Sequence, residues 1–191
     1  MSAISQQKQE LREKVLAERQ QISAGEWKKK SEKIISSLTN ADFFKEAKTV
    51  HTYITMDQRR EVYTDGLLED ILNGNKRAVV PVTNFEDGTL THSEISSLSD
   101  MKKNKWGVAE PKHITPVNVE ELDLIIVPMA AADRAGNRLG YGKGFYDRFL
   151  REAEAIKVGL VFDAFLFDEI PIEEFDEKLD VIISEKEVIF A

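Results

Sequence analysis

The stretch LDLIIVPM, residues 122–129, sets apolar side chains in an almost unbroken run instead of alternating them with polar ones. A strand with one wet face alternates, whereas a short continuous run suits a strand covered on both faces. Cover on both faces calls for helices above and below a sheet, so this segment predicts an α/β layered fold. Its neighbours agree. TVHTYIT (49–55), RAVVPV (77–82), IKVGLVFD (156–163) and LDVIIS (179–184) read as further strands, and DGLLEDILNG (65–74) as a helix stopped by Gly74. NFEDGTLTHSEI (84–95) predicts a hairpin around Asp87-Gly88. The expected architecture is a three-layer sandwich: a mostly parallel central sheet flanked by helices, with a small β-hairpin excursion. No repeat or long linker interrupts it, so residues 1–191 are read as one domain.

Two helices precede the first strand. In the first, over about residues 5–21, Lys8, Arg12 and Arg19 fall within about 40° of each other on an ideal helix, and Leu11, Val15 and Leu16 lie beside them. Read by itself, such a basic stripe is a solvated face. Ser23 and Glu26 form a capping-box pattern that opens the second helix, which carries Trp27, Ile34, Ile35 and Leu38.

The chain has no cysteine, which excludes disulfides, thiolate metal sites and a cysteine nucleophile. Its net charge of -8 argues against a general nucleic-acid binder but leaves room for one small anion in a local basic pocket. No apolar run reaches the length of a membrane span, and the polar, acid-containing start MSAISQQKQELREK resembles no targeting segment. A cytoplasmic protein without membrane or nucleic-acid partners is expected, as a monomer or a weak dimer. His51, His92 and His113 show no metal-ligand spacing and are read as structural or surface residues.

Against that acidic background, NRLGYGKGFYDR (137–148) places three glycines at alternate positions among three basic residues. It is not a P-loop, because Gly142-Lys143 is followed by Gly144 instead of Ser or Thr and Asn137 stands at the earlier glycine position. It is not a dinucleotide fingerprint either, because Phe145 stands at the third glycine position. What remains is a glycine turn running into a helix, where backbone N–H groups and the helix N-terminus favour an anion. Arg138, Lys143 and Arg148 are suited to phosphate oxygens, and Asp147 to a magnesium ion. A flexible surface turn with solvated charges is the competing reading.

DLIIVPMAAADRAGNRLGYGKGFYDR closely resembles the signature of the 5-formyltetrahydrofolate cyclo-ligase (5,10-methenyltetrahydrofolate synthetase) family. The likeness extends to KQELR (8–12), YITMDQRREVYT (53–64), KWGVAEP (105–111) and FDEKLDVIIS (175–184), in the family's order. The resemblance implies a ligase that uses ATP and magnesium to convert 5-formyltetrahydrofolate to 5,10-methenyltetrahydrofolate, releasing ADP and phosphate. Phosphorylating the formyl oxygen would make its carbon electrophilic and give the oxygen a leaving group, and folate N10 would then close the ring. Such chemistry asks the protein mainly for positioning and charge stabilisation.

Carried onto this chain, the resemblance implies that Lys8 and Arg12 contact the nucleotide phosphates, and that Arg138, Leu139, Gly140, Tyr141, Gly142, Lys143, Gly144, Phe145 and Tyr146 wrap the ATP. Lys143 and Arg138 would act in catalysis, Lys143 nearest the transferred group. Asp147 and Asp176 would hold magnesium. Ile54, Glu61 and Trp106 would contact the folate, Glu61 by hydrogen bonding, with Tyr141 to Phe145 facing it from the loop. Departures from the pattern are Ala130-Ala131-Ala132 after the strand, Tyr63 where a second acid is frequent, and Phe175 where histidine is common. Two other readings compete: a folate- or nucleotide-binding protein without turnover, and a sugar-phosphate isomerase or CoA-transferase-like enzyme. The second leaves Lys8 and Arg12 without a purpose.

Overall fold

A computed structural model describes residues 2–104 and 107–191. In chain order its helices are α1 (Ala3–Arg19), α2 (Ala24–Asn40), α3 (Asp42–Glu46), α4 (Asp65–Asn73) and α5 (Phe145–Glu152). Its strands are β1 (Thr49–Thr52), β2 (Arg77–Asn84), β3 (Thr89–Ile95), β4 (Met101–Lys103), β5 (Ala109–Pro111), β6 (Leu124–Val127), β7 (Ala131–Asp133), β8 (Arg138–Leu139), β9 (Ile156–Leu160), β10 (Leu166–Phe167), β11 (Val181–Ile183) and β12 (Val188–Phe190).

Seven strands form the main sheet, in the order β12-β11-β9-β6-β1-β2-β3. Its interior pairs from β11 across to β2 are parallel, and only the edge strands β12 and β3 run antiparallel. Every residue of β6 is fully buried, as its unbroken apolar run requires. The expected mostly parallel sheet with flanking helices is the fold observed.

Strand order decides where a ligand can sit. From β1 the chain moves to β2 on one side, and the later strands β6, β9 and β11 build outward on the other. The order reverses between β1 and β6, and a crevice opens outside their carboxyl ends because the connections leave in opposite directions. Residues 53–64 leave β1 at that point, and residues 128–144 leave β6 at the same point.

Local chemistry explains several element ends. Ser2 and Ser23 cap α1 and α2, their hydroxyls accepting from Ser5 N (3.0 Å) and Glu26 N (3.2 Å). Gly74 ends α4, and β2 and β3 form the expected hairpin with Gly88 at φ 75° in its turn. The sequence reading did not anticipate α3, β12, the pair β4–β5, or the small sheet β10-β7-β8. That small sheet changes the path into the glycine turn: the chain leaving β6 first makes the β7–β8 hairpin instead of entering the turn directly.

Candidate functional site

The alternate glycines have a packing reason. A Cβ on Gly140 would lie 2.8 Å from Arg138 Nη1, one on Gly142 would lie 3.3 Å from Arg12 Cζ, and one on Gly144 would lie 2.9 Å from Arg148 Nη1. Each glycine therefore leaves room for one guanidinium against the main chain. Gly142 (φ 83°) and Gly144 (φ 67°) also take the left-handed conformation that brings the turn round to α5. Gly144 caps α5 without a side-chain bond, so the helix meets the turn with backbone donors.

Helix α1 lies against this turn. Arg12 Nε donates to Gly140 O at 2.8 Å, and its Nη1 donates to Gln9 Oε1 at 2.7 Å. Lys8 Nζ reaches Asp176 Oδ1 (2.6 Å), Asp176 Oδ2 (2.7 Å) and Glu173 Oε2 (3.0 Å), and lies 5.6 Å from the Phe175 ring centre. The structure thus brings Lys8, Arg12, Asp176 and the glycine turn together. Burial lowers the Arg12 pKa, and the nearby Asp176, Glu13 and Glu173 pull it back up.

The Lys143 side chain is exposed and makes no hydrogen bond or ion pair among the described residues. Its neighbours on the turn are committed. Arg138 is buried, with Nη2 on Asp147 Oδ1 at 2.5 Å, while its Nε has no partner among the described residues. Leu139 is wholly in the core, so only its main chain can serve a ligand. Arg148 was expected at phosphates. It instead grips the β2–β3 hairpin, its Nε donating to Gly88 O at 2.8 Å and its Nη2 to Gly88 O and to Lys143 O. Phe145 meets Phe85 of the same hairpin edge-on, with ring centres 5.9 Å apart.

On the other wall, Ile54 is half-buried against the core and Glu61 is 4% exposed. Glu61 Oε2 accepts from Met56 N at 2.9 Å. Burial raises the Glu61 pKa, partly offset by the Met56 amide, Tyr141, Arg59 and Arg19. Tyr141 links the walls: its hydroxyl donates to Met129 O at 3.0 Å, and Arg59 stacks 4.2 Å from its ring centre. The Tyr141 and Tyr146 phenols are held protonated, first by burial and then by the charge of Glu61. The Tyr146 hydroxyl is buried with no hydrogen-bond partner among the described residues.

One expectation needs correction. Arg19 is not on a solvated face: it is 2% exposed, within the core. Its position was legible, because Val15 is seven residues from Lys8, three from Arg12 and four from Arg19, so the basic stripe and an apolar position share one helix face. His51 and His92 are buried structural residues that meet each other: His92 Nδ1 lies 3.2 Å from His51 Nε2, and both rings pack on Phe149. Asp176 is engaged on both oxygens by Lys8, and its Oδ2 also accepts from Glu173 N at 2.7 Å. Trp106 lies outside the described residues. Tyr63 packs edge-on against Trp27, and Ala130-Ala131-Ala132 are fully buried.

A magnesium ion that bridges substrate phosphates needs only one or two protein carboxylates. Asp147 fits that requirement, since one oxygen holds Arg138 and the other has no hydrogen bond among the described residues. Among those residues no three His, Cys, Asp or Glu side chains form a metal site of their own. A separate concavity of about 660 Å³, lined by Ala47, Leu122, Asp123 and Ala155 with Glu46, Glu120, Glu152 and Glu154, lies at the amino ends of β1, β6 and β9. It is acidic and at the opposite end of the sheet from the glycine turn, so it does not suit the anion that the turn invites.

Comparison with known proteins places this geometry. The model of the 5-formyltetrahydrofolate cyclo-ligase family matches residues 4–185. The 5-formyltetrahydrofolate cyclo-ligase of Haemophilus influenzae is 29% identical over 188 residues, covering 94% of this chain and 98% of that one. That of Escherichia coli K12 is 33% identical over 150 residues, covering 74% and 80%. The NMR structure of Aquifex aeolicus 5,10-methenyltetrahydrofolate synthetase superposes with a TM-score of 0.86 at 34% identity, covering 96% of this chain and 92% of that one.

Proposed function

The chain belongs to the 5-formyltetrahydrofolate cyclo-ligase family, and from that premise we propose that it closes 5-formyltetrahydrofolate to 5,10-methenyltetrahydrofolate at the expense of ATP, as a single domain over residues 1–191. The observation that carries the reading is the seating of Arg12 on the glycine turn at the β1/β6 switch point, facing the segment that holds Ile54 and Glu61. A cationic backbone cradle and a half-apolar wall with one buried carboxylate suit a triphosphate beside a pterin.

The formyl oxygen attacks the γ-phosphorus and ADP leaves. N10 then attacks the formyl carbon, its proton is lost, and phosphate departs. The backbone of Arg138 to Tyr146 binds the nucleotide with Arg12, which touches the turn directly. Lys143 has no competing partner and meets the transferred phosphoryl group, stabilising charge as it moves. Arg138 acts from beneath, fixing Asp147. Magnesium bound through Asp147 would neutralise phosphate charge. Lys8 reaches the phosphates only by leaving Asp176, and so links nucleotide arrival to the C-terminal segment. Tyr141 and Phe145 flank the substrate from the turn, opposite Ile54.

Glu61 offers the pterin two faces of chemistry. Its raised pKa eases a shared proton with a pterin nitrogen, and its low exposure keeps water from competing. No helix among the described residues is long and apolar enough to cross a membrane. A cytoplasmic role in one-carbon metabolism, without nucleic acid and as a monomer or weak dimer, completes the reading.

Purified protein given MgATP and 5-formyltetrahydrofolate is expected to form the methenyl chromophore with one phosphate released per product. Tight binding of both ligands without turnover would leave a binding protein instead.

A further inference from the structure

We propose that Arg19 is a positioning residue that sets the distance between the nucleotide turn and the folate wall. This rests on the function just proposed. Arg19 stands in the last turn of α1 and is 2% exposed. Its Nη2 donates to Met129 O (2.8 Å) and Ala130 O (2.5 Å), in the segment leaving β6. Its Nη1 donates to the Tyr141 hydroxyl (3.0 Å) on the glycine turn and to Arg59 O (3.4 Å) on the folate wall.

One planar guanidinium therefore binds both ends of the β7–β8 hairpin, at Met129-Ala130 and at Tyr141, and ties them to Arg59 on the remote folate wall. No carboxylate pairs with it directly among the described residues, and its Nε is left without a partner. A buried cation so placed is costly as a mere packing element, where an apolar side chain would serve better. Its distinctive capacity is geometric, because a rigid fork addresses several acceptors at fixed angles. Tyr141 extends the link, since its hydroxyl accepts from Arg19 and donates to Met129 O. Both substrates must be held to within a fraction of an ångström for transfer from γ-phosphate to formyl oxygen, and a misplacement of 1 Å costs roughly a hundredfold in rate. Arg19 touches neither substrate; it acts through Tyr141 and the main chain.

The test compares wild type, Arg19→Lys and Tyr141→Phe. Lysine keeps the charge but cannot span the four acceptors. The expected result for Arg19→Lys is a kcat lower by roughly a hundredfold, with the Kd values of MgATP and of 5-formyltetrahydrofolate, each measured alone, within about threefold of wild type. In Arg19→Ala, millimolar guanidinium ion is expected to restore part of kcat, which a general loss of folding would not show. Tyr141→Phe is expected to lower kcat in the same direction, and the double variant with Arg19→Lys to lose less than the product of the two. Should Arg19→Ala fail to fold, the lysine and phenylalanine variants still decide. An Arg19→Lys enzyme with wild-type kcat, or losses confined to unfolding temperature, would overturn the inference. If the wild type itself does not turn over, it is the proposed function that falls.

Discussion

Arg12 and Gly142 are in contact: the guanidinium carbon stands 3.3 Å from the point where a Cβ on Gly142 would lie, while Arg12 Nε holds the neighbouring Gly140 O at 2.8 Å. An N-terminal helix and a turn 128 residues later thereby make one surface. The absence of a side chain is what permits it.

Gly142→Ala tests that contact. Alanine at φ 83° costs about 1 kcal/mol in backbone strain, and its methyl group pushes on Arg12. The expected outcome is a lower unfolding midpoint together with a KM for ATP raised severalfold. Gly66→Ala is the contrasting control. Gly66 lies inside α4 with nothing near its open side, so that variant should gain up to about 1 kcal/mol and keep its activity.

Lys143→Ala separates chemistry from folding. The side chain is exposed and unpaired among the described residues, so thermal stability should not change. Product formation should fall by roughly a thousandfold while 5-formyltetrahydrofolate still binds, since a charge acting on the transition state is lost. Titration of folate binding alongside the rate measurement distinguishes the two effects.

Asp147→Ala should destabilise strongly. It leaves the buried Arg138 guanidinium with little beyond Pro128 O at 3.5 Å, and stranding one member of a buried ion pair costs about 3–5 kcal/mol. The denaturation midpoint reports this. Asp147→Asn, which keeps an oxygen for Arg138, should recover part of the stability but need more magnesium for equal activity.

The histidine pair predicts acid sensitivity. Burial lowers the His92 pKa to about 4 and holds that of His51 well below its usual value, with His92 adding to the effect. Both are neutral when folded. The unfolded chain takes up protons below about pH 6.5, so stability should fall as pH drops from there toward about 4, by up to about 1.4 kcal/mol per pH unit for each proton. Glu61, whose pKa is raised, works in the opposite direction as pH falls. His92→Phe should flatten the dependence; an unchanged slope in chemical denaturation across this range would show that the pair does not govern it.

Much of the scaffold was readable because it rests on periodicity. The unbroken run at 124–127 meant a covered strand, and the Ser23 cap and the Asp87-Gly88 turn are local signals that tertiary contacts did not override. The strands β7, β8, β10 and β12 have only two or three residues each, too few for any period to register. In the candidate site, the nearness of Lys8 and Arg12 to the glycine turn followed from family likeness. The commitments of each charge did not, because Arg148 on Gly88, Arg138 on Asp147 and Lys8 on Asp176 are pairings between distant segments. Arg19 was misread for a simpler reason: charge was taken as a mark of exposure, although Val15 placed the same helix face inward.

The acidic hollow at the amino ends of the parallel strands has a long-range effect as well. Glu46, Glu120, Asp123, Glu152 and Glu154 gather there, while the exposed cations Lys143 and Arg148 stand at the other end of the sheet, on the glycine turn and the helix that follows it. A multiply charged anion diffusing toward a protein of net charge -8 is repelled from one pole and drawn to the other, so productive encounters concentrate where the cations are.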